Sequence, residues 1–519
     1  MKAAKEQDKG NGSVSTIAVT EESGSTAQDL IAEKKSLPPL VSALKATAEV
    51  DVATFHFPGH NRGHAAPSSL IGLIGLKPFL YDLNGLPELG TLSCPRGAIL
   101  EAQKEAAKLF GSSETRFLVG GTTCGIQAAI MATCSPGESL ILARNSHSSA
   151  ISAMVLSGAL PKYIIPEYNC NWDIATYINP LDVRRAIEDL EREGRRARAV
   201  FITSPTYHGV CSSLSEISEL CHSHHIPLIV DEAHGAHFKF HPQLPDTALE
   251  QGADLAVQST HKVLCSLGQS SMLHMSGNII DRDRVCKCLQ TLQTTSPSHL
   301  LLASLDAARA QLGESPDSIF NQAMELAYEA RFLLKQIPGI SVLEDFNFPG
   351  YDPMRLTVGV WQIGFSGHEA DEILHGDHGI VAELVGNRYI TFAFNLGTRR
   401  EHIQRLVSGI KQLATASKNQ IKEKVEHTSI APFVFDDIVI SLSPRDAFFA
   451  TKRRVALKES LGRVSGELIC PYPPAIPVLI PGEVITEKAL DYLLLCQSKG
   501  AFITGASDPS LSSIVVCHV

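Results

Sequence analysis

The chain is most informative first for what it has little of. No apolar stretch reaches the roughly 18 residues a membrane span needs before Gly, Pro or a charge interrupts it, which argues against a spanning segment. There is no basic excess: 45 Lys and Arg stand against 55 Asp and Glu, a net charge of -10. That balance argues against a nucleic-acid surface and suits a small cationic guest. The 12 cysteines follow no repeating spacing, so buried thiols in a reducing compartment are expected rather than a disulfide framework. Cys286 and Cys288, and His222, His224 and His225, lack the paired spacing of a zinc site, and no metal is expected. Internal repeats are absent. The two tryptophans, Trp172 and Trp361, are expected in the core.

What is present is a long alternation of strands and helices. Residues 1–36 mix Lys, Glu, Ser, Gly and Thr with few apolar positions and are expected to be a disordered tail. Its acids fit an organelle leader badly, so the cytoplasm is expected, with a plastid or another reducing organelle as the alternative if the tail is a divergent leader. From Pro38 the pattern gives a helix ending before Asp51, a Gly-rich loop at Pro58-Gly59-His60, and a helix over Ala98–Phe110. Apolar strands at Ser139–Ala143, Lys162–Pro166, Ala199–Thr203 and Pro227–Val230 then alternate with helices from His147, over Leu181–Glu193 and over Leu214–His222. This predicts an α/β domain with a mostly parallel sheet. A length of 519 residues gives a soft prior of about three domains. The expected division is 37–315 for the large domain with its opening segment, 316–428 for a smaller α/β domain and 429–519 for a C-terminal domain.

Two stretches deliver reactive side chains to one edge of that sheet. Asp254-Leu255-Ala256-Val257 reads as strand, Ser259, Thr260 and His261 give a polar exit, and Lys262 follows. A primary amine there can form a Schiff base. Ile226 to Val230 ends in Asp231-Glu232-Ala233-His234, so a carboxylate also arrives at a strand's carboxyl end, where ligands sit in α/β sheets. Phe117-Leu118-Val119 followed by Gly120-Gly121-Thr122-Thr123 and a helix over Ile126–Thr133 aims backbone N–H groups at a phosphate.

At these residues the sequence resembles the fold-type-I pyridoxal-phosphate decarboxylases of ornithine, lysine and arginine. The resemblance rests on Ser259-Thr260-His261-Lys262 together with Pro58-Gly59-His60, Gly120 to Gly125, Arg144-Asn145-Ser146-His147, Thr203 to Gly209, Asp231 to His237, and Pro471-Tyr472-Pro473-Pro474 with Pro481-Gly482-Glu483. These occur in the family's order from about Phe55 to about Gly500. The resemblance implies an aspartate aminotransferase-like fold, with pyridoxal 5'-phosphate bound to Lys262, its ring nitrogen facing Asp231 and its ring between His147 and Ala233. It also implies phosphate contacts from Gly121, Thr122, Thr123, Ser259 and His261, with His234 beside the cofactor and the Thr203, Ser204 and His208 loop near it. Glu483 is either the acid that meets the substrate's distal cation or an ordinary turn acid. The implied reaction is decarboxylation of a basic amino acid, arginine first and then lysine or ornithine, for polyamine or diamine synthesis, by a homodimer or higher homo-oligomer. The alternatives are another reaction of the same fold (lyase, aldolase or aminotransferase) or a non-catalytic regulator. Gly268, Ala475 and Gly90-Thr91 depart from the family pattern and bear on substrate placement, not on the cofactor anchors.

Overall fold

In a parallel sheet covered on both faces, strands read as nearly unbroken apolar runs, and Ser139–Ala143 is buried at every position. The computed structural model describes residues 37–344, 347–419, 437–472 and 476–518. The expected tail at 1–36, the 428/429 boundary, Pro473, Pro474 and Ala475 therefore lie outside the described residues. Pro38–Val519 forms one compact unit.

Its centre is a seven-stranded sheet made of β1 (Glu114–Leu118), β2 (Ser139–Ala143), β3 (Leu160–Ile164), β4 (Ala197–Thr203), β5 (Leu228–Asp231), β6 (Leu255–Gln258) and β7 (Ser271–Met275). The spatial order is β1-β7-β6-β5-β4-β2-β3. Strands β3, β2, β4, β5 and β6 run parallel, while β7 is antiparallel to both β6 and β1. Parallel neighbours end at the same edge, so Thr203, Asp231 and Gln258 all finish on one side of the sheet.

Helices Gly121–Thr133 and Ser148–Ser157 cover one face through Ile126, Ile130 and Met154. Pro180–Arg192 and Leu214–Ser223 cover the other through Ile187, Leu190 and Ile217. The first of these helices begins at Gly121, five residues before the expected Ile126, because its opening Gly-Thr-Thr turn is already helical.

A second sheet is antiparallel, ordered Ser341–Val342, Arg355–Gly359, Tyr389–Ala393, Leu384–Val385. Its helix Gly367–His378 was not anticipated, although Ser366 and Glu369 form a capping box at its start. One apolar cluster runs from Leu40 through Leu305 and Leu312 to Phe320 and Leu356, so the core is continuous across the expected 315/316 boundary. The C-terminal part pairs Lys452–Ala456 with Ser513–Cys517 around a core of Ile469, Leu493 and Ile514. Trp172 and Trp361 are half-buried and meet edge to face at 4.9 Å, not fully enclosed as expected. All 12 cysteines are free thiols. Among the described residues no helix is long and apolar enough to cross a membrane.

Candidate active site

The carboxyl edge of the large sheet gathers the reactive residues. Thr203 pairs with Asp231, and Asp231 with Val257, across β4, β5 and β6. Beyond β6, Ser259 opens a single helical turn, Thr260–Val263, which carries Lys262. Gly121, Thr122, Thr123, His147, Asp231, Ala233, His234, Ser259, His261 and Lys262 line one cavity.

One end of this cavity is built to receive an anion. The helix Gly121–Thr133 has no side-chain cap, so its first N–H groups and its positive end face the space. Thr122 Oγ1 lies 2.6 Å from Ser259 Oγ and 3.1 Å from Ser271 Oγ. His261 Nδ1 donates to the Ser270 carbonyl at 2.7 Å, which leaves Nε2 for another partner. Thr203 Oγ1 also borders the cavity and is buried without a hydrogen-bond partner among the described residues.

The other end holds a carboxylate. Asp231 Oδ1 accepts the Ala233 N–H at 3.1 Å. Burial pushes its carboxyl up to about 6, against the opposing pull of Lys262 and that N–H. A cationic N–H delivered beside it would restore its charge. His147 caps the helix Ser148–Ser157, its Nδ1 accepting from the Ser149 N–H at 3.2 Å. Burial, with Lys262 nearby, lowers its imidazole to about 4, so the ring is neutral.

Between these ends Lys262 Nζ lies 3.0 Å from His234 Nε2. By surface area Lys262 is exposed toward the open cavity, yet the protein packed around the amine strips away part of its solvation. That desolvation lowers its pKa, Arg355 adds to the effect, and Asp231 and Glu383 oppose it. Together the residues fit a flat ring with an anionic arm at one end, a protonated nitrogen at the other and a carbonyl within reach of the amine.

Glu483 does not line this cavity. Its carboxylate forms a two-pronged pair with Arg144, Nε to Oε1 at 3.1 Å and Nη2 to Oε2 at 2.9 Å, and also accepts the Ile480 N–H. Both oxygens are engaged and only 4% of the residue is exposed, so Arg144 holds this acid inside the protein. In the loop after β4, Thr203 borders the cavity, but Ser204 Oγ accepts from the Ser212 N–H and His208 lines a neighbouring cavity beside Tyr389. Tyr207, Gln269 and Arg355 were not singled out from the sequence. Tyr207 and Gln269 line the cavity, and Arg355 reaches His234 from the second sheet. Gly268, one of the departures from the pattern, has open space where a Cβ would stand. At Gly90, φ is +80° and a Cβ would lie 2.9 Å from the Arg96 carbonyl oxygen, so this tight turn itself requires glycine.

Residues 38–351 match the Orn/Lys/Arg decarboxylase major domain, and residues 434–505 match the C-terminal domain of the same family. The chain is 36% identical over 483 residues to an arginine decarboxylase of Bacillus subtilis, covering 92% of this chain and 97% of that protein. It is 24% identical to the constitutive lysine decarboxylase of Escherichia coli, covering 90% and 78% of the two chains. The crystal structure of the Francisella novicida lysine decarboxylase shares the fold with a TM-score of 0.82 at 23% identity, over 94% of this chain and 83% of that one. The expected fold-type-I α/β architecture is met in this likeness. Because the matched region contains both the strand edge and the amine and acid that build the cavity, the chain belongs to the Orn/Lys/Arg decarboxylase family.

Proposed function

We propose that this chain decarboxylates a basic amino acid, arginine first and lysine or ornithine after it, with pyridoxal phosphate held in the cavity around Lys262. The observation that carries the reading is the convergence of Lys262, Asp231 and the uncapped Gly121 helix end on that one cavity. The arginine decarboxylase at 36% identity supports the order of substrates.

In this reading Lys262 is the amine that holds the cofactor's aldehyde, Asp231 faces its ring nitrogen, and His147 and Ala233 wall the ring. The Gly121, Thr122 and Thr123 turn, Ser259 and His261 hold the phosphate. When bound, pyridoxal phosphate supplies the electron sink for the pair released as carbon dioxide departs. The chain's own task is to hold charge in place: Asp231 stays ionised against the ring, and His147 stays neutral beside it.

The twelve free thiols support a reducing compartment, the cytoplasm first. A homodimer is part of the proposal. Its support is a run of exposed apolar side chains ahead of the large sheet, Phe55 at 97%, Phe57 at 82% and Leu73 at 79% exposure, too apolar to face water alone. The deciding experiment incubates purified protein and pyridoxal phosphate with arginine, lysine and ornithine in competition and identifies the products. Agmatine as the main amine, with equal carbon dioxide, is expected. Keto acid without carbon dioxide would overturn the proposal.

A further inference from the structure

A buried chain of polar contacts ends on Lys262 and begins in the second sheet. Asp352, with no exposed surface, accepts the Met354 N–H at 2.9 Å, and His237 Nε2 lies 3.1 Å from its other oxygen. Burial pushes this carboxyl up, but His237, Arg355 and the Met354 N–H outweigh it and hold it below its ordinary range. Arg355, 2% exposed, lies along the same oxygen with Nε at 3.8 Å. Gly209 makes room for it, since a Cβ there would stand 2.9 Å from Arg355 Cβ. Arg355 Nη2 is 3.1 Å from His234 Nδ1, and His234 Nε2 is 3.0 Å from Lys262 Nζ.

Hydrogen-bond bookkeeping fixes the protons along this chain. A guanidinium has five N–H groups and no lone pair, so it can only donate, and His234 Nδ1 must accept. A neutral imidazole carries one proton, which therefore sits on Nε2 and points at Lys262. An ammonium has no lone pair to receive it. Two donors facing each other at 3.0 Å in a desolvated pocket repel, so the stable partner is the free amine. The reverse tautomer would instead turn an N–H against the buried guanidinium. Burial, together with the nearby Lys262 and Arg355 charges, also keeps His234 from protonating. Of the other charged groups that act on the amine, Asp231 and Glu383 favour the ammonium, while Arg355 opposes it; His147 is neutral.

We propose that Arg355 is a positioning residue: it locks His234 in the Nε2–H tautomer and so holds Lys262 as a free amine before any carbonyl compound enters. The proposal rests on Lys262 being the amine that takes the cofactor, but its test uses cofactor-free protein and reads the proton directly. Failure of decarboxylation would therefore be a separate result.

In histidine-labelled wild-type protein, the ¹⁵N shifts of His234, assigned by the loss of its signals in His234→Gln, are expected to report an unprotonated Nδ1 and a protonated Nε2 at pH 7. A protonated Nδ1 overturns the proposal. This measurement needs no Arg355 variant to fold. The second measurement follows the ¹³C signal of Lys262 after reductive dimethylation, assigned by its loss in Lys262→Arg. Arg355→Met is expected to raise the Lys262 pKa by about one unit, roughly a tenfold loss of free amine near neutrality. Arg355→Lys, which keeps a donor, is expected to restore most of it. In a His234→Gln background the Arg355→Met shift should shrink to the part that the direct field of Arg355 contributes, because the rest passes through the imidazole. If the full shift persists there, Arg355 acts only through its direct field and the tautomer lock is wrong.

Discussion

Asp231 stands opposite Val257 on two adjoining parallel strands, so the sheet itself sets how far this acid lies from the turn that carries Lys262. Among the described residues the acid has no cation in hydrogen-bond contact, and burial holds its carboxyl at about 6. A folded-state pKa raised from 3.8 means that the fold binds the proton more tightly than the unfolded chain does. The resulting stability is complete below about pH 4 and is lost as pH rises through about 6, a swing of about 3 kcal/mol. Cofactor-free Asp231→Asn should match wild type in urea midpoint near pH 4 and exceed it at pH 7.5. The same variant loaded with cofactor should lose about 10²–10⁴-fold in kcat, the range typical of a lost protonic group. Equal urea midpoints at both pH values would refute the stability half.

Lys262→Ala should bind no cofactor covalently. Borohydride reduction with pyridoxal phosphate, followed by peptide mapping, is expected to label the peptide around residue 262 in wild type and nothing there in the variant, with amine formation at background. Lys262→Arg keeps a cation but no nucleophilic amine, and it should behave the same way.

Glu483→Gln tests whether that acid holds Arg144 or meets the substrate. It leaves the fully buried Arg144 guanidinium without its counter-ion, which typically costs 3–5 kcal/mol. Urea unfolding should show a loss of about that size, while the ratio of kcat/KM for arginine over lysine stays constant. A changed ratio would return Glu483 to the substrate.

Gly125→Ala should strain the helix that opens the anion end. The new Cβ would lie 2.5 Å from Val257 Cγ1 and 2.7 Å from Leu118 Cδ1. Overpacking of this kind costs about 1–3 kcal/mol. A lower urea midpoint together with weaker cofactor retention on dialysis is the expected pair of results.

Phe55→Ser with Phe57→Ser should weaken self-association. Burying one such side chain contributes about 1.5–3 kcal/mol, so removing two should raise the dimer dissociation constant at least tenfold by sedimentation velocity. An unchanged constant would place the interface elsewhere.

Most of the large sheet was legible because its strands are buried on both faces, and Leu140-Ile141-Leu142 or Leu228-Ile229-Val230 announce themselves as apolar runs. Strand direction was not. β7 is as fully buried as the parallel strands β5 and β6, and only its pairing with β1 and β6 reveals that it runs the other way. The early start of the Gly121 helix was hidden by residues that favour turns, and tertiary packing overrode them. The capping box at Ser366 and Glu369 was a readable signal that went unused. All the cavity residues implied by the resemblance lie on the large sheet's edge or on the turns leading from it. Arg355 could not be found that way, since it meets His234 across 121 positions and neither spacing nor periodicity encodes such a contact.

Arg144 carries a further consequence. It follows directly after β2, three residues ahead of His147, and its guanidinium also donates to the carbonyls of Pro477 and Val478. A shortened protein ending before residue 437 would keep the whole cavity wall on paper, but it would take from Arg144 the carboxylate and the two carbonyls that hold its guanidinium. The two stretches matched to the family cannot be cut apart and grafted like beads on a string, because the later one neutralises the interior of the earlier.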